Sequence, residues 1–291
     1  MKKQLAFVLG GGGSRGALQV GALRALLESG YVPDLLVGTS IGALNAAFLA
    51  IHGTSLGSVQ ALVKTWRQAS LIDLLPANYL WLAVRALFNR PESRSAQVRT
   101  EFLITHGLDP SLRFGDLNGV RLVTVAADLK AGRLVLFGLD PEQTVLEGVL
   151  ASMALPPWEA PRQREDQVLV DGGVVSNLPL EPALRLGATE IIALDLADSR
   201  DIPLTGQGFQ PFMSQLVHTV QQRQVEMELA MAYACQVPVH QICLMGEHPV
   251  PLWDFEHTDA LIATGYTTAC QEIESWRTKG GPGWWPFRKN Q

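Results

Sequence analysis

The sequence predicts a three-layer α/β/α domain on a mainly parallel central sheet, and three observations carry that expectation. The first fifty residues alternate twice between a short apolar run and a helix-length segment, the pattern of strands joined by crossover helices. A second sheet-forming block follows between residues 120 and 194. Of 291 residues, 47% are hydrophobic and 18% charged, enough apolar material for a large core and unlike a disordered chain.

Taken in order, Leu5–Leu9 is an apolar run of strand length, stopped by the glycines at 10–13. A helix over Ser14–Ser29 and a short loop lead to a strand at Leu35–Val37, then a helix over Ile41–Ala50. Residues 55–105 read as mostly helical and include NYLWLAVRALF (78–88), apolar nearly all round and hence either buried or a lid over a pocket. Val120–Ala126 and Leu134–Phe137 read as a hairpin turning through DLKAGR. Pro156, Pro157 and Pro161 make ALPPWEAPR a rigid, non-helical loop. Strands follow at Val168–Val170 and Ile191–Leu194, with a helix in PLEPALRLG between them. Helices over 212–235 and 257–278 then flank a strand at Val239–Leu244. One domain is expected over residues 1–280, with 281–291 a Trp-rich tail lacking either period.

Composition narrows the function. A formal charge of −5 and a pI near 5.7 argue against a nucleic-acid binder, which carries a basic surplus. Cys235, Cys243 and Cys270 are odd in number and lack CxxC spacing, so neither a disulfide framework nor a zinc site is expected. Lys2 and Lys3 before Leu5–Leu9 imitate a secretion signal, but that apolar run falls short of the roughly 7–15 residues such a signal needs. No apolar run approaches the roughly 20 residues of a bilayer span. A soluble cytoplasmic protein is the expectation.

Two glycine-framed junctions carry the chemistry. In LLVGTSIGALNA (35–46), Ser40 stands between a strand and a helix with Gly38 and Gly42 on either side. A nucleophile elbow places serine on such a turn, where the backbone is strained and the neighbours must be small. The helix beginning at Ile41 would point its positive dipole end at negative charge growing near Ser40. The plainer job for Ser40 is to cap that helix, which does not call for glycine on both sides.

GGGGSRG (10–16) also joins a strand to a helix. Gly11, Gly13 and Gly16 fit the dinucleotide fingerprint, which expects an acidic residue at the end of the second strand. Asp34 precedes that strand and Gly38-Thr39-Ser40 occupy its end, so the cofactor reading loses its key partner. The alternative is an oxyanion hole, since consecutive glycines can turn their N–H groups toward one point. Arg15 either braces this loop, attracts an anionic substrate, or simply lies on a helix surface.

A serine nucleophile needs a base. His218, His240, His248 and His257 follow Ser40 in the order a Ser–acid–His hydrolase requires, but none sits in a distinctive loop. The rival is Asp171 in VLVDGGVVSNLP (168–179), at the carboxyl end of an apolar strand, where α/β sheets place chemistry. Burial would have to raise its basicity without neutralising it near pH 7. An ordinary Asp-Gly turn is the alternative for that segment.

GGGGSRG, GTSIG and DGG, in this order and spacing, resemble the patatin-like phospholipase family, specifically its bacterial branch. ALPPWEAPR, NLPLEPALRLGATEIIALDL and FEHTDALIATGY are similar to further segments of that family, so the resemblance covers nearly residues 4–275. It implies a patatin-like fold, a Ser–Asp dyad without histidine, Ser40 as nucleophile and Asp171 as its base. It also implies an anion-binding loop of Gly11, Gly12, Gly13 and Arg15, a lipid acyl-ester substrate, and no metal or organic cofactor. One departure is Gln19, where many bacterial members carry histidine; it is expected to alter local packing without touching the dyad. A histidine-dependent α/β-hydrolase and a catalytically idle lipid-binding regulator on the same fold stay open. Trp284, Trp285 and Phe287, beside Arg288 and Lys289, leave three readings open for the tail: peripheral membrane contact, a self-association patch, or a disordered end.

Overall fold

The computed structural model describes residues 3–71, 94–156, 159–198, 200 and 209–278; the apolar 78–88 segment and the Trp-rich tail lie outside them. Among the described residues eight strands form one sheet: β1 (Leu5–Leu9), β2 (Leu35–Thr39), β3 (Arg121–Asp128), β4 (Arg133–Phe137), β5 (Arg162–Arg164), β6 (Gln167–Asp171), β7 (Glu190–Asp195) and β8 (Val239–Cys243). The helices are α1 (Gly16–Glu28), α2 (Ile41–His52), α3 (Leu56–Ala69), α4 (Arg94–Thr105), α5 (Val145–Ser152), α6 (Leu180–Arg185), α7 (Phe209–Ala234) and α8 (Thr258–Thr278).

Strands β3, β2, β1, β7 and β8 are parallel neighbours in that order. Their sequences are apolar without a break because both faces are covered. Phe7, Leu9 and Leu36 point into a core shared with α1, α2, α3 and α8. Ala6, Val8, Leu35 and Val37 point the other way, onto Leu180 and Ala183 of α6 and Val225 of α7. The expected three layers are therefore present. The antiparallel strands β4, β5 and β6 gather at one end, so the sheet is mixed there. Strand β5 falls just after the proline loop and has no apolar signal; its RQR pairs with β6 in a short hairpin.

The register of β3 fixes what the site needs. Thr124 and Val125 pair with Gly38 and Thr39 of β2 and also with Phe137 and Leu136 of β4. Ala126, Ala127 and Asp128 pair with β4 and also with Asp171, Val170 and Leu169 of β6. A strand has two edges, so β2 and β6 share one edge of β3, end to end. They approach from opposite directions: β2 stops at Thr39 opposite Val125, and β6 stops at Asp171 opposite Ala126.

Helix α8 closes the larger helical layer by lying against α1 at two glycines. A Cβ on Gly21 would come 2.0 Å from Ile262 O, and one on Gly265 would come 2.0 Å from Leu18 O. Each glycine admits the other helix's backbone.

Candidate active site

Ser40 follows β2 directly and precedes the first residue of α2, with φ 55° and ψ −124°, a conformation a non-glycine residue rarely adopts. A Cβ at Gly38 would lie 2.5 Å from Gly42 O, and one at Gly42 would lie 2.2 Å from Leu9 O. The turn closes only because both flanking residues lack side chains. Ser40 occupies the N-cap position of α2, yet its side chain makes no capping hydrogen bond. Helix capping is not what this serine does. Its backbone N–H is held instead by Ser152 Oγ (2.9 Å), and that hydroxyl donates to Val125 O (2.6 Å). Ser152 is fully buried at the end of α5 and ties the elbow to β3. Nothing in its sequence context singled it out.

Asp171 ends β6 with 3% of its surface exposed. Its N–H donates to Ala154 O (2.9 Å), and its Oδ1 accepts from Gly173 N (2.8 Å). Oδ2 is buried and has no partner in hydrogen-bond geometry. Burial pushes the carboxyl up to about 6, while the nearby Ser40 hydroxyl and the Gly173 amide favour its ionised form. The hydroxyl is thus near enough to act on the carboxyl without being aligned as a hydrogen bond. The structure brings residues 40 and 171 together because β2 and β6 meet on β3.

The glycine loop departs from the expectation at one residue. Gly11 N–H donates to Asn177 O (3.0 Å), so it is committed to anchoring the loop and is not turned toward Ser40. The Gly12 and Gly13 amides make no hydrogen bond among the described residues. The loop is tightly cased: a Cβ on Gly11 would lie 3.2 Å from Ser40 Cβ, and one on Gly13, at φ 57°, would lie 2.3 Å from Leu252 O. Arg15 reaches back to Gly12 O with its Nε (3.4 Å) and acts electrostatically on Asp195 and Asp198, consistent with bracing the loop. Ser14 donates from its N–H to Leu252 O and from its hydroxyl to Pro251 O, both at 2.8 Å.

Gln19 is fully buried, and its role was not legible in the sequence. Its Nε2 donates to Gly10 O (2.8 Å) and Leu194 O (3.2 Å), and its Oε1 accepts from Asn45 Nδ2 (3.0 Å). Asn45 Oδ1 in turn accepts from Trp66 Nε1 (2.9 Å). The expectation that residue 19 leaves the dyad untouched holds for direct contact, but it grips the root of the glycine loop.

Ser40, Asp171, Gly11, Gly12, Gly13 and Arg15 all line one cavity of about 470 Å³. Its remaining wall is chiefly apolar, including Phe48, Leu62, Trp66, Phe102, Met153 and Phe255. That size and lining suit an apolar ligand with a few fixed polar groups. His106 and His218 also border it. His106 faces Phe102 O and Gln68 Oε1, His240 faces Glu190, and His257 faces Asp254. Among the described residues no histidine hydrogen-bonds to Ser40. No group of three or more His, Cys, Asp or Glu side chains that could hold a metal ion occurs among them either.

The family model described as patatin-like phospholipase matches residues 7–184. The chain belongs to the patatin-like phospholipase family. All three motifs of this patatin-like chain fall inside the matched span. It is 30% identical over 206 residues to patatin-like phospholipase domain-containing protein 6 of Homo sapiens, covering 70% of this chain and 14% of that protein. It is 29% identical over 210 residues to neuropathy target esterase sws of Drosophila melanogaster, again 70% and 14%. The chain thus spans about a seventh of the length of these relatives. Two solved structures share the fold. VipD from Legionella pneumophila matches with a TM-score of 0.50 at 14% identity, over 94% of this chain and 67% of that one. Human GIVD cytosolic phospholipase A2, in complex with methyl gamma-linolenyl fluorophosphonate and terbium chloride, matches with a TM-score of 0.50 at 14% identity, over 95% and 59%.

Proposed function

We propose that this patatin-like chain is a lipid acyl hydrolase that cleaves fatty-acyl esters of phospholipids or lysophospholipids through an acyl-serine intermediate. The observation that carries the proposal is the end-to-end meeting of β2 and β6 on β3, which sets Ser40 against a buried Asp171 inside an apolar cavity. Asp171 takes the hydroxyl proton as Ser40 Oγ attacks the ester carbonyl. The tetrahedral oxyanion is received by the Gly12 and Gly13 amides and the positive end of α2. Collapse breaks the ester C–O bond, Asp171 returns the proton to the leaving alcohol, and the acyl group stays on Ser40. Water then attacks the acyl-serine, giving its proton to Asp171; the carboxylic acid leaves and Ser40 is reprotonated. A carboxylate held near 6 is a better base than an exposed one and is still mostly ionised at neutral pH.

Labelling with a fluorophosphonate tests the reading. The parent is expected to label, Ser40→Ala to lose labelling, and Asp171→Asn to lose most of it. Undiminished labelling of Ser40→Ala would end the assignment. Because His218 borders the cavity, His218→Gln belongs in the same set; the dyad predicts that it labels like the parent.

Among the described residues no helix is long and apolar enough to cross a membrane. On this proposal the chain is cytoplasmic and meets its lipid at a membrane surface. Liposome sedimentation with and without residues 281–291 examines the tail: weaker binding of the shortened chain supports its contribution, and equal binding removes it.

A further inference from the structure

Helix α7 lies beyond the residues the family model matches, yet three of its side chains reach the segment directly after Asp171. Gln221, Gln224 and Glu228 stand at i, i+3 and i+7, one face of a helix. Gln221 Nε2 donates to Gly173 O (3.3 Å) and Gln224 Nε2 to Val174 O (2.8 Å). The Ser176 hydroxyl donates to Glu228 Oε1, and Glu228 Oε2 accepts from Glu181 N (2.8 Å) in the first turn of α6.

The segment gripped in this way holds the other two loops of the site. Ser176 O accepts the hydroxyl of Thr39, the residue before Ser40 (2.9 Å). Asn177 O accepts the Gly11 N–H (3.0 Å), and Asn177 Nδ2 donates to Gly11 O (3.3 Å). Glu228 does not itself line the cavity, and only 8% of it is exposed. Burying a carboxylate there carries a desolvation cost. Its carboxyl is raised by that burial, while Ser176 and the Glu181 and Leu180 amides draw it back toward ionisation.

We propose that Glu228, seconded by Gln221 and Gln224, is a positioning residue that splints residues 173–177 so that the elbow, the glycine loop and Asp171 keep their mutual placement. The inference rests on Ser40 being the nucleophile. A positioning error on the order of 1 Å can cost about 10²-fold in rate, so a residue that never touches substrate can still govern turnover.

The test uses the full chain, hydrolysis of a soluble short-chain p-nitrophenyl ester, and the rate of fluorophosphonate labelling at a temperature where circular dichroism shows each variant folded. Glu228→Ala is expected to lower kcat by about tenfold or more with KM unchanged, and to slow labelling in parallel. Glu228→Gln is expected to restore most of the loss, because its amide oxygen still accepts the α6 amides and its NH₂ can donate to Ser176 Oγ. Where Glu228→Ala does not fold, Ser176→Ala removes the same link from the other side and is expected to lower kcat in the same way. Parental kcat and labelling rate in folded Glu228→Ala or Ser176→Ala would overturn the inference. A parent that does not label at Ser40 would instead bring down the reading beneath it.

Discussion

Asp171 combines deep burial with a carboxyl held near 6, and two consequences follow at the residue scale. On the proposed mechanism Asp171 acts as a base in its ionised form, so kcat/KM is expected to rise with pH along a limb centred near 6; a limb near 4 would mean the carboxyl is not buried in the working enzyme. Stability moves the other way. The folded pKa lies above the unfolded one, so Asp171 favours the fold below about pH 4, and that benefit is lost as pH rises through about 6. That loss amounts to about 3 kcal/mol between the two limits. Asp171→Asn is therefore expected to raise the melting temperature at pH 8 by at least about 2 °C while suppressing activity; a lower Tm would contradict this. Gln19 shows the opposite balance, a neutral amide whose bonds are all satisfied. Gln19→Leu takes the partner from one of the two Asn45 Nδ2 hydrogens, the other staying on Gly16 O, and removes a donor from the Gly10 carbonyl; it is expected to cost about 1–3 kcal/mol in denaturant unfolding. Fluorophosphonate labelling of that variant should slow as well, since the glycine loop loses its root.

At the scale of elements, α1 and α8 approach so closely that helix propensity and packing give opposite answers. Alanine favours a helix over glycine by about 1 kcal/mol, but at Gly265 its methyl would meet the Leu18 carbonyl. Overpacking of this kind costs about 1–3 kcal/mol or more, so Gly265→Ala is expected to lower Tm. Gly57→Ala in α3, where the nearest atom lies 3.7 Å away, is expected to leave Tm level or raise it. The apolar strands and the long helices were legible in the sequence because burial on two faces, or one, leaves a periodic imprint. Ser40, Asp171 and the glycine loop were legible because a strained turn and a backbone close approach demand unusual residues. Strand β5 was not, since a three-residue polar edge carries no period. Ser152, Gln19 and Asn45 were not either, because a buried polar side chain looks like any other until its partners are known. The sequence does not show either which glycine amide a neighbouring loop engages: the Gly11 N–H meets the carbonyl of Asn177, 166 residues away.

At the scale of the whole molecule, the site depends on chain far beyond the family-matched span. Residue 10 hangs from Leu194 O, the 3₁₀ turn at Gly13–Arg15 from Pro251 and Leu252, and β1 has β7 as one of its two neighbours. A protein of residues 1–184 alone is expected to show no cooperative thermal transition and no labelling; a folded, labelled 1–184 would disprove that interdependence. The one arrangement that shields the chemistry from such remote effects is the shared edge of β3. Asp171 pairs with Ala126, and Ser40 directly follows Thr39, which pairs with Val125. Both side chains therefore start beside neighbouring residues of one strand and ride on the same support when the sheet breathes. Connections elsewhere can gain or lose residues with little change in the distance between the two side chains, so long as α7 keeps its grip on residues 173–177.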